Sequence, residues 1–429
     1  MGAALKPLLK RLAVGSPAAL PTLDLDFLAQ TYKVSDGTGG MSSVAFADLI
    51  TFTRSSAAWR FNASGVLEQV PANQPRFDYD PVTLALRGLL IEEQRTNLLL
   101  FSGAQENAAW TKFQATAALS GITGPYGEYR KLSATDGQAG QVLQNVAATA
   151  GQAYTFTYVV KKTAYDTVRL YFIPRDSSNA SLNACFVTLT LSTGAASTGG
   201  PLAVTAYSVA QTSDGGYLVS ITATTPANTA FLRAQVDFAA VTTGAREVLI
   251  GPQQIELGAF PTSYIPTTSA QVTRAADVAS VNTLSPWFNP SEGTIFFEGV
   301  PLAVAGPVKR AVALTNSTQQ NRIVLDLAAN TGVTEYLATV GGVSMASITS
   351  AAGTAGVAIK MAGVYGATDY RMAAKGVLGT GTAPGGAVPP VIKLELGALV
   401  GAQFFNGHIR RIRYWPRRLF DNELQRITA

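Results

Sequence analysis

The strongest candidates for hydrolytic chemistry are two adjacent carboxylates, Glu92 and Glu93. A glycosidase cleaves its substrate between two carboxyl groups that flank one glycosidic bond. The surrounding residues are typical of a β-strand, in which neighbouring side chains point to opposite faces. The two carboxylates therefore cannot face one substrate, and we interpret them as salt-bridging residues near Arg87 and Arg95.

A nucleophilic or metal-dependent site has few residues to draw on. His408 is the single histidine and Cys185 the single cysteine of the 429 residues, and the two fall in different predicted domains. One His and one Cys cannot complete a zinc site, and the chain contains no G-x-x-x-x-G-K-[ST] phosphate loop. We therefore predict no enzyme activity and no cofactor. An oxygen-only calcium site stays open as an alternative at Asp176, Asn179 and Asn183.

Sugar binding needs aromatic faces beside hydrogen-bonding side chains, because a pyranose ring stacks its C–H face on an aromatic ring. Several aromatic residues lie in stretches with polar neighbours or turns, and each of them could instead be a core or interface residue. The carbohydrate-binding candidates are Trp110, Tyr126, Tyr129, Tyr165 and Tyr171 in the first predicted sandwich, and Tyr365 and Tyr370 in the second.

The composition favours extended structure with small-residue turns. The chain is 47% hydrophobic but only 14% charged, against roughly 25% charged in average globular chains. Its net charge of +5 is a mild excess. We interpret this excess as solvated strand edges, with a polyanion such as lipopolysaccharide as the alternative partner. No nucleic-acid fold motif is present, and we predict no nucleic-acid binding.

The single cysteine and the hydropathy pattern bear on where the protein folds. One cysteine excludes an intrachain disulfide, which fits assembly in a reducing cytoplasm. Every apolar run is shorter than the stretch that a membrane-spanning helix needs, so we predict neither a transmembrane helix nor membrane insertion.

Residues 97–267 predict a β-sandwich of about eight or more strands. Alternating apolar residues place Val168, Leu170 and Phe172 on one strand face, and Tyr217 and Val219 on another. Turns rich in Gly, Asp and Asn separate these runs, as expected of a sandwich or jelly roll.

Residues 287–429 predict a second sandwich, joined to the first by a linker at residues 268–286. Near its end the apolar spacing slips between Ile409 and Ile412, which predicts a β-bulge. Pro416 then ends the strand, and Asp421 is predicted to cap a short helix that buries Leu424 and Ile427.

Two smaller regions precede the sandwiches. A leucine stripe at i, i+3, i+4 and i+7 spacing predicts an anchoring helix within residues 1–20. This helix is too short to be stable alone, so its stripe must dock on the rest of the protein or on a neighbouring subunit. Residues 21–96 predict a small β-rich region with short strands and a turn at residues 62–65.

Three blocks resemble bacteriophage tail proteins. Residues 251–278, GPQQIELGAFPTSYIPTTSAQVTRAADV, resemble the end of a carbohydrate-binding-module-like jelly roll of phage tail and fibre proteins. Residues 52–102 resemble the segment that precedes that jelly roll. Residues 407–428, GHIRRIRYWPRRLFDNELQRIT, are similar to the closing strand and helix of concanavalin A-like (laminin-G-like) lectin domains.

The resemblance implies a tail fibre, tail-tip or baseplate component of a phage virion that binds host surface polysaccharide or lipopolysaccharide. It further implies a homotrimer that contacts other tail proteins through its N-terminal region. Two alternatives stay open: a purely structural virion component, and a glycan-cleaving enzyme. The E-x-D-x-x-E strand of concanavalin A-like glucanases is absent, and Glu395 stands alone on its predicted strand.

Overall fold

A computed structural model describes residues 20–134, 138–239, 246–304 and 306–429. These residues form antiparallel sheets and two short helices, which confirms the predicted all-β sandwich architecture. The predicted N-terminal helix falls on residues 1–20, of which only Leu20 is among the described residues.

The elements are numbered in chain order. The first part of the chain contains β1 Leu23–Asp26, β2 Thr31–Ser35, β3 Met41–Val44, α1 Phe46–Leu49, β4 Thr51–Thr53, β5 Ala58–Phe61, β6 Leu67–Val70, β7 Arg76–Tyr79, β8 Leu86–Ile91 and β9 Arg95–Asn97. The middle part contains β10 Thr111–Phe113, β11 Ala115–Gly124, β12 Gly127–Ala134, β13 Gln141–Ala147, β14 Ala153–Lys162, β15 Thr167–Arg175, β16 Cys185–Thr190, β17 Ala195–Gly199, β18 Ala206–Gln211, β19 Tyr217–Thr224, β20 Phe231–Phe238 and β21 Arg246–Leu257. The last part contains β22 Val272–Arg274, β23 Val278–Val281, β24 Glu292–Pro301, β25 Lys309–Thr315, β26 Arg322–Leu327, β27 Val333–Val340, β28 Val343–Ala352, β29 Ile359–Gly366, β30 Arg371–Ala374, β31 Val377–Leu378, β32 Thr380–Thr382, β33 Lys393–Leu396, β34 Gly407–Trp415 and α2 Asp421–Thr428.

The first sandwich packs two six-stranded sheets face to face. Sheet I has the strand order β10-β13-β20-β15-β16-β17, and sheet II has the order β11-β12-β21-β14-β19-β18. The alternating residues predicted from the sequence line the core between them, where Phe156 of sheet II stacks on Phe172 of sheet I at 4.7 Å between ring centroids. The face of each sheet turned away from this core is called its outer face below.

The second sandwich is larger than its predicted residue range. Sheet III contains β3-β2-β1-β34-β24-β29-β30-β31, with β8 paired to β34 and β7 paired to β8. Sheet IV has the order β32-β28-β27-β26-β25-β33-β23-β4. One continuous apolar core between these sheets includes Leu23, Leu25, Phe52, Leu89 and Ile91.

The structure therefore differs from the predicted division into a small β region at 21–96, a linker at 268–286 and a lectin domain at 287–429. Strands β1 to β4, β7 and β8 belong to the sheets of the second sandwich. The linker range contains β22, which pairs with β9, and β23, which pairs with β4 and β33. The physical reason is that strands this short cannot bury an apolar face alone, so they complete the sheets of a larger core.

The predicted bulge in the closing strand β34 is present. Glu298 pairs with Arg411 and Gly299 pairs with Ile409, so Arg410 is the extra residue. The bulge re-aims the strand so that both Ile409 and Ile412 point into the core, as the slipped apolar spacing requires.

Helix α2 buries Leu424 on sheet III, and Ile427 packs beside it partly buried. The predicted cap differs, because Phe420 occupies the N-cap position and its backbone N–H donates to the Glu423 carboxylate at 2.9 Å. Asp421 lies one residue inside the helix, where its carboxylate accepts a hydrogen bond from Arg371 at 2.6 Å.

Candidate functional site

A cavity of about 180 Å³ lies where the β5–β6 hairpin covers the outer face of sheet II. Sheet II, the hairpin, the second sandwich and the chain leaving β21 all contribute to its wall. The side chains that matter below are Thr157, Leu218 and Gln254 from sheet II, Trp59, Arg60 and Phe61 from the hairpin, Asp78, Arg87 and His408 from sheet III, and Tyr126 from the β11–β12 turn.

The hairpin owes its shape to the turn predicted at residues 62–65. The side-chain oxygen of Asn62 accepts hydrogen bonds from the backbone N–H groups of Ser64 and Val66, at 3.0 and 3.1 Å. Gly65 adopts a φ of +71°, a left-handed conformation that glycine reaches without steric cost. The turn therefore fixes the register that places Trp59 and Phe61 on β5.

Two contacts hold the hairpin over the first sandwich. The backbone N–H of Leu67 donates to the carbonyl of Pro125 at 2.9 Å. The rings of Phe61 and Tyr126 meet edge to face, with centroids 5.1 Å apart. This geometry is a favoured arrangement of aromatic pairs, and it fixes one aromatic wall of the cavity.

The aromatic wall keeps polar atoms available. Trp59 and Tyr126 are half-buried, so the cavity reaches the protein surface beside them. Burial, with the nearby Asp78 carboxylate, raises the pKa of Tyr126 above its usual value. Its hydroxyl therefore stays protonated at neutral pH and can donate a hydrogen bond.

An Asp–His pair closes one end of the cavity. The Asp78 carboxylate accepts a hydrogen bond from the backbone N–H of Phe61 at 2.8 Å, and its second oxygen lies 2.8 Å from Nε2 of His408. Arg87 approaches the same oxygen at 3.8 Å and donates to Asp80 at 2.7 Å. The imidazole of His408 is therefore held by the Asp78 carboxylate, and that carboxylate is itself engaged by the Phe61 backbone N–H.

The positive charges at the cavity are matched by carboxylates. Arg60 binds Glu68 at 2.8 Å and donates to the carbonyl of Phe77 at 2.7 Å. Arg87 is balanced by Asp78 and Asp80 as described above. The wall therefore presents oriented donors and acceptors with little excess charge, which suits a hydroxyl-rich ligand better than an ion.

Glu92 reaches the cavity wall but is committed to a buried ion cluster. It pairs with Arg76 at 2.8 Å and Arg274 at 3.0 Å, and accepts two hydrogen bonds from Ser263. Burial alone would raise its pKa, but the Arg274 and Arg76 charges and the Ser263 hydrogen bonds prevail and lower the pKa of Glu92 to about 2. Glu92 is therefore ionised at neutral pH and has no proton to donate.

The adjacent Glu93 has different partners, although both carboxylates lie between β8 and β9 rather than on the predicted strand. Glu93 pairs with the expected Arg95 at 2.6 Å and accepts a hydrogen bond from Asn406 at 2.9 Å. Arg87, the other arginine expected near the pair, instead binds Asp80 at 2.7 Å. The two carboxylates do not share a substrate position.

Four of the seven predicted carbohydrate-binding residues are buried, and their polar atoms have partners inside the protein. The indole of Trp110 donates to the carbonyl of Phe101, and the hydroxyl of Tyr129 donates to Asp214. The Tyr365 and Tyr370 hydroxyls donate to backbone carbonyls. These rings pack within the protein in this conformation, because a Tyr or Trp is accommodated in a core once its polar atom finds a partner.

The other three predicted aromatics keep part of their surface. Tyr126 lines the cavity. Tyr165 packs edge to face on Phe238, with centroids 5.3 Å apart. Tyr171 lies on the outer face of sheet I beside Phe186, at 5.0 Å. The structure therefore brings Tyr126 and Tyr171 to different faces of the first sandwich.

Most residues of the cavity wall were not predicted from the sequence, because the candidate sugar-binding residues were all taken from residues after 97. Trp59 and Arg60 directly precede the predicted turn, and Asp78 alternates with Phe77 on a predicted strand. An aromatic residue beside a charged one next to a tight turn is a local signal that could have identified them.

The oxygen atoms proposed as calcium ligands at Asp176 and Asn179 are used in hydrogen bonds within their own turn. One Asp176 oxygen accepts hydrogen bonds from the backbone N–H groups of Ser178 and Ala180 and from the Ser178 hydroxyl. The side-chain oxygen of Asn179 contacts Arg175 at 2.7 Å. Within the described ranges no three His, Cys, Asp or Glu residues are grouped so as to hold a metal ion.

Helices are short throughout the part of the chain that the structure describes, and none combines the length and apolar character needed to cross a bilayer. Neither a protein-family model nor a curated protein sequence matches the chain.

Solved structures resemble parts of the fold. A Ruminococcus gnavus sialidase CBM40 is 20% identical, with a TM-score of 0.28, over 33% of this chain and 84% of its own. The bacteriophage CBA120 tailspike protein 4 is 13% identical, with a TM-score of 0.28, over 38% of this chain and 21% of its own. Mouse laminin α1 LG4-5 is 11% identical, with a TM-score of 0.23, over 80% and 92%.

Proposed function

We propose that this chain is a non-enzymatic bacteriophage tail component, of a fibre, tail tip or baseplate, that binds host surface glycan through the cavity under the β5–β6 hairpin. The observation that carries the binding role is the cavity wall itself. It combines half-buried aromatic rings, Trp59 and Tyr126, with polar groups on Arg60, Arg87 and Thr157.

The dimensions of the cavity suit a small part of a glycan. At about 180 Å³ the cavity is smaller than the range of about 300–1,000 Å³ usual for ligand pockets. This volume suits one sugar ring rather than a long stretch of polymer. Trp59 and Tyr126 would offer ring surface to the sugar C–H groups, while neighbouring hydroxyl and guanidinium groups would bond its hydroxyls.

The carboxylates support binding rather than cleavage. Glycoside hydrolysis needs one carboxylic acid with a raised pKa and a second, available carboxylate. Glu92 has a pKa of about 2 and sits in ion pairs with two arginines. Asp78 is engaged by a backbone N–H and by His408. Release of reducing sugars from a host polysaccharide would contradict the non-enzymatic proposal.

The binding role predicts a selective effect of Trp59→Ala. We expect this variant to keep its melting temperature within a few degrees and to lose about two- to tenfold in glycan affinity, since an aromatic contact contributes about 0.5–1.5 kcal/mol. A glycan array would first identify a ligand, and titration calorimetry would then compare the variants. Tyr207→Ala is the matched control, because Tyr207 is an exposed aromatic on β18 outside the cavity. Equal affinities for both variants would contradict the cavity as the binding site.

The virion role is supported by the resemblance of residues 52–102, 251–278 and 407–428 to phage tail proteins. We propose that host polysaccharide or lipopolysaccharide is the ligand, and that the N-terminal region contacts other tail proteins. Electron microscopy of virions labelled against this chain tests the location. A chain located outside the tail would leave the purely structural alternative or another virion role.

We further propose that the chain acts as a homotrimer, because multivalent display raises the weak affinity of single sugar sites. Light scattering of the full-length chain at micromolar concentration is expected to give three times the 44.8 kDa chain mass. The same measurement on residues 20–429 shows whether the segment that precedes Leu20 is needed. A monomeric full-length protein would contradict self-assembly.

A further inference from the structure

The outer face of sheet I carries an ordered set of arginine, aromatic and amide side chains that lies outside the cavity. Three strands contribute adjacent rows. Tyr171 pairs across the sheet with Gln235 on one side and Phe186 on the other. In the next row, Arg169 pairs with Asp237 and Thr188.

An aromatic base supports the first of these arginines. The Phe186 ring lies over Gly199, where a Cβ atom would come within 2.6 Å of the ring. Tyr171 packs against the same ring, and the guanidinium carbon of Arg169 lies 5.2 Å from its centroid. A guanidinium stacked on an aromatic ring keeps its N–H edge free for a planar oxyanion.

A second positive centre lies further along the same face. Arg233 donates to the side chain of Asn145 at 2.9 Å, and Arg175 donates to that of Asn179 at 2.7 Å. The strand register places the two arginines near each other, because Arg233 faces Ile173, two residues before Arg175. Burial and the nearby Arg175 charge both lower the pKa of Arg233. Like charges at close range are costly unless an anion joins them.

These arginines differ from those of the cavity in forming no close ion pair with a carboxylate of the described residues. In the described ranges, Arg169, Arg175 and Arg233 make no ion pair within 4.0 Å, whereas Arg60 and Arg87 at the cavity are both paired. Asp237 is the carboxylate that faces Arg169 in register, and burial is the main cause that raises its pKa to about 7. One Asp237 oxygen is buried without a hydrogen-bond partner. The face therefore has an excess of positive charge.

We propose that the outer face of sheet I is a second binding site, which takes an acidic polysaccharide through Arg169 and Arg233. Arg169 lies opposite Asp237, four residues along β20 from Arg233. At about 3.3 Å per residue, the two arginines are anchored about 13 Å apart along the strand. The Arg169 guanidinium leans toward Phe186 of β16 and the Arg233 guanidinium toward Asn145 of β13, on opposite sides of β15 and β20, so each arginine is assigned a separate acidic group of one polymer. The exposed amide of Asn145 lies beside Arg233 and suits sugar hydroxyls.

A single-stranded nucleic acid is the competing polyanion, and the ring geometry disfavours it. Base stacking needs aromatic faces that are free. The Phe186 ring rests on Gly199 and is approached by Arg169, while Tyr171 leans on Phe186 at 49°. The rings thus support the arginine rather than forming a stacking surface.

This site is independent of the cavity. The outer faces of sheets I and II point in opposite directions from the shared core of the first sandwich, and packed sheets lie about 10 Å apart. Trp59→Ala is therefore expected to leave acidic-polysaccharide binding unchanged. Failure at one site does not predict failure at the other, so the two proposals are tested separately.

The test compares two polymers with one backbone. Polygalacturonate carries a carboxylate on every unit, and its full methyl ester carries none. Biolayer interferometry with the full-length chain at low and moderate salt should show binding of the acid form and at least tenfold weaker binding of the ester. Arg169→Gln and Arg233→Gln should each lower the affinity for the acid form roughly tenfold.

The matched control is Arg426→Gln, which removes the same charge from an exposed position on α2. Circular dichroism melts confirm that all three variants stay folded. A loss of equal size in Arg426→Gln would show general charge attraction and overturn the site. Equal binding of acid and ester forms, or tighter binding of oligo(dT) than of polygalacturonate, would overturn it as well.

The pH dependence gives a second readout. The groups facing Asp237 are Arg169 from β15, Gln141 from β13, and Gln235 and Tyr171 in the adjoining row. Below about pH 7 Asp237 is mainly protonated, and above it a negative charge appears beside Arg169. Affinity for polygalacturonate should therefore fall as pH rises from 6 to 8. Asp237→Asn should remove that fall, and an unchanged profile would contradict the role of this face.

Discussion

Replacing Asp277 by alanine is expected to lower the free energy of unfolding by about 3–5 kcal/mol, the usual result of removing one partner from a buried ion pair. Asp277 is fully buried and accepts hydrogen bonds from Arg54 at 3.0 Å and from Arg76. Arg274 lies 3.8 Å away. Without the carboxylate, Arg76 and Arg274 would share Glu92. The buried Arg54 would keep backbone carbonyls as its recorded partners and lose its acidic one.

The cluster matters because it joins distant parts of the chain. The backbone N–H of Glu92 donates to the Asp277 carboxylate at 3.0 Å, and that of Asp277 donates to the carbonyl of Glu92 at 2.9 Å. Ser263, in the segment that leaves the first sandwich, binds Glu92 and Arg76. The same charges thus fix the entry to and the exit from the first sandwich against sheet III.

Urea unfolding measured by circular dichroism checks the prediction, with the slope of the transition compared between variants. Asp421→Ala is the control, since its pair with Arg371 is half-exposed and such pairs contribute about 0–1 kcal/mol. A loss below about 1 kcal/mol for Asp277→Ala would show that the cluster is hydrated or rearranges, and would contradict its role in joining the two sandwiches.

The sequence predicts the strands of the first sandwich well, because each strand buries one face and its apolar residues therefore recur at every second position. Val168, Leu170 and Phe172 alternate as predicted and are all fully buried. The slipped spacing between Ile409 and Ile412 predicts the bulge for the same reason. Local patterns of this kind reflect which face of a strand is buried.

The partner of a short strand is harder to predict. Phe52 lies on β4, which pairs with β23, although the whole first sandwich separates these two strands in the sequence. Leu23 lies on β1, where it pairs with Tyr414 of β34. Nothing local to either strand distinguishes a small separate region from the missing edge of a distant sheet. The same limit applies to residues 268–286, where prolines and small polar residues on either side obscure two short strands.

The candidate site shows a similar division. Residue type suggested aromatic rings, but only the fold shows that Trp110 and Tyr365 are buried while Trp59 borders a cavity. The cavity needs a hairpin, a sheet face and the start of β34 to meet, and these come from opposite ends of the chain and from its middle. The outer face of sheet I is easier to predict from the sequence. Arg169, Tyr171 and Arg175 alternate along one strand, β15, with the buried residues of that strand.

The same long-range pairing makes the predicted lectin domain, residues 287–429, unable to fold alone. We expect its thermal melting curve, followed by circular dichroism, to show no cooperative transition. Residues 20–429 should melt as the full-length chain does. Removing the earlier segments strips eight large apolar side chains from one core: Leu23, Leu25, Phe27, Ile50, Phe52, Leu89, Ile91 and Val281.

At about 1.5–3 kcal/mol for each buried side chain, this loss is on the order of 10 kcal/mol, comparable with the whole stability of a typical domain. It also exposes both flanks of β34, where β1 and β8 would otherwise pair. Residues 287–429 are therefore expected to aggregate or to bind a hydrophobic dye. A cooperative melt of the isolated fragment would contradict the need for the earlier strands and would support the domain boundary predicted from the sequence at residue 287. Adding residues 20–96 as a separate chain to residues 275–429 tests the cause directly, because recovery of the transition requires that β1 and β8 pair again with β34 and that β4 pairs with β23.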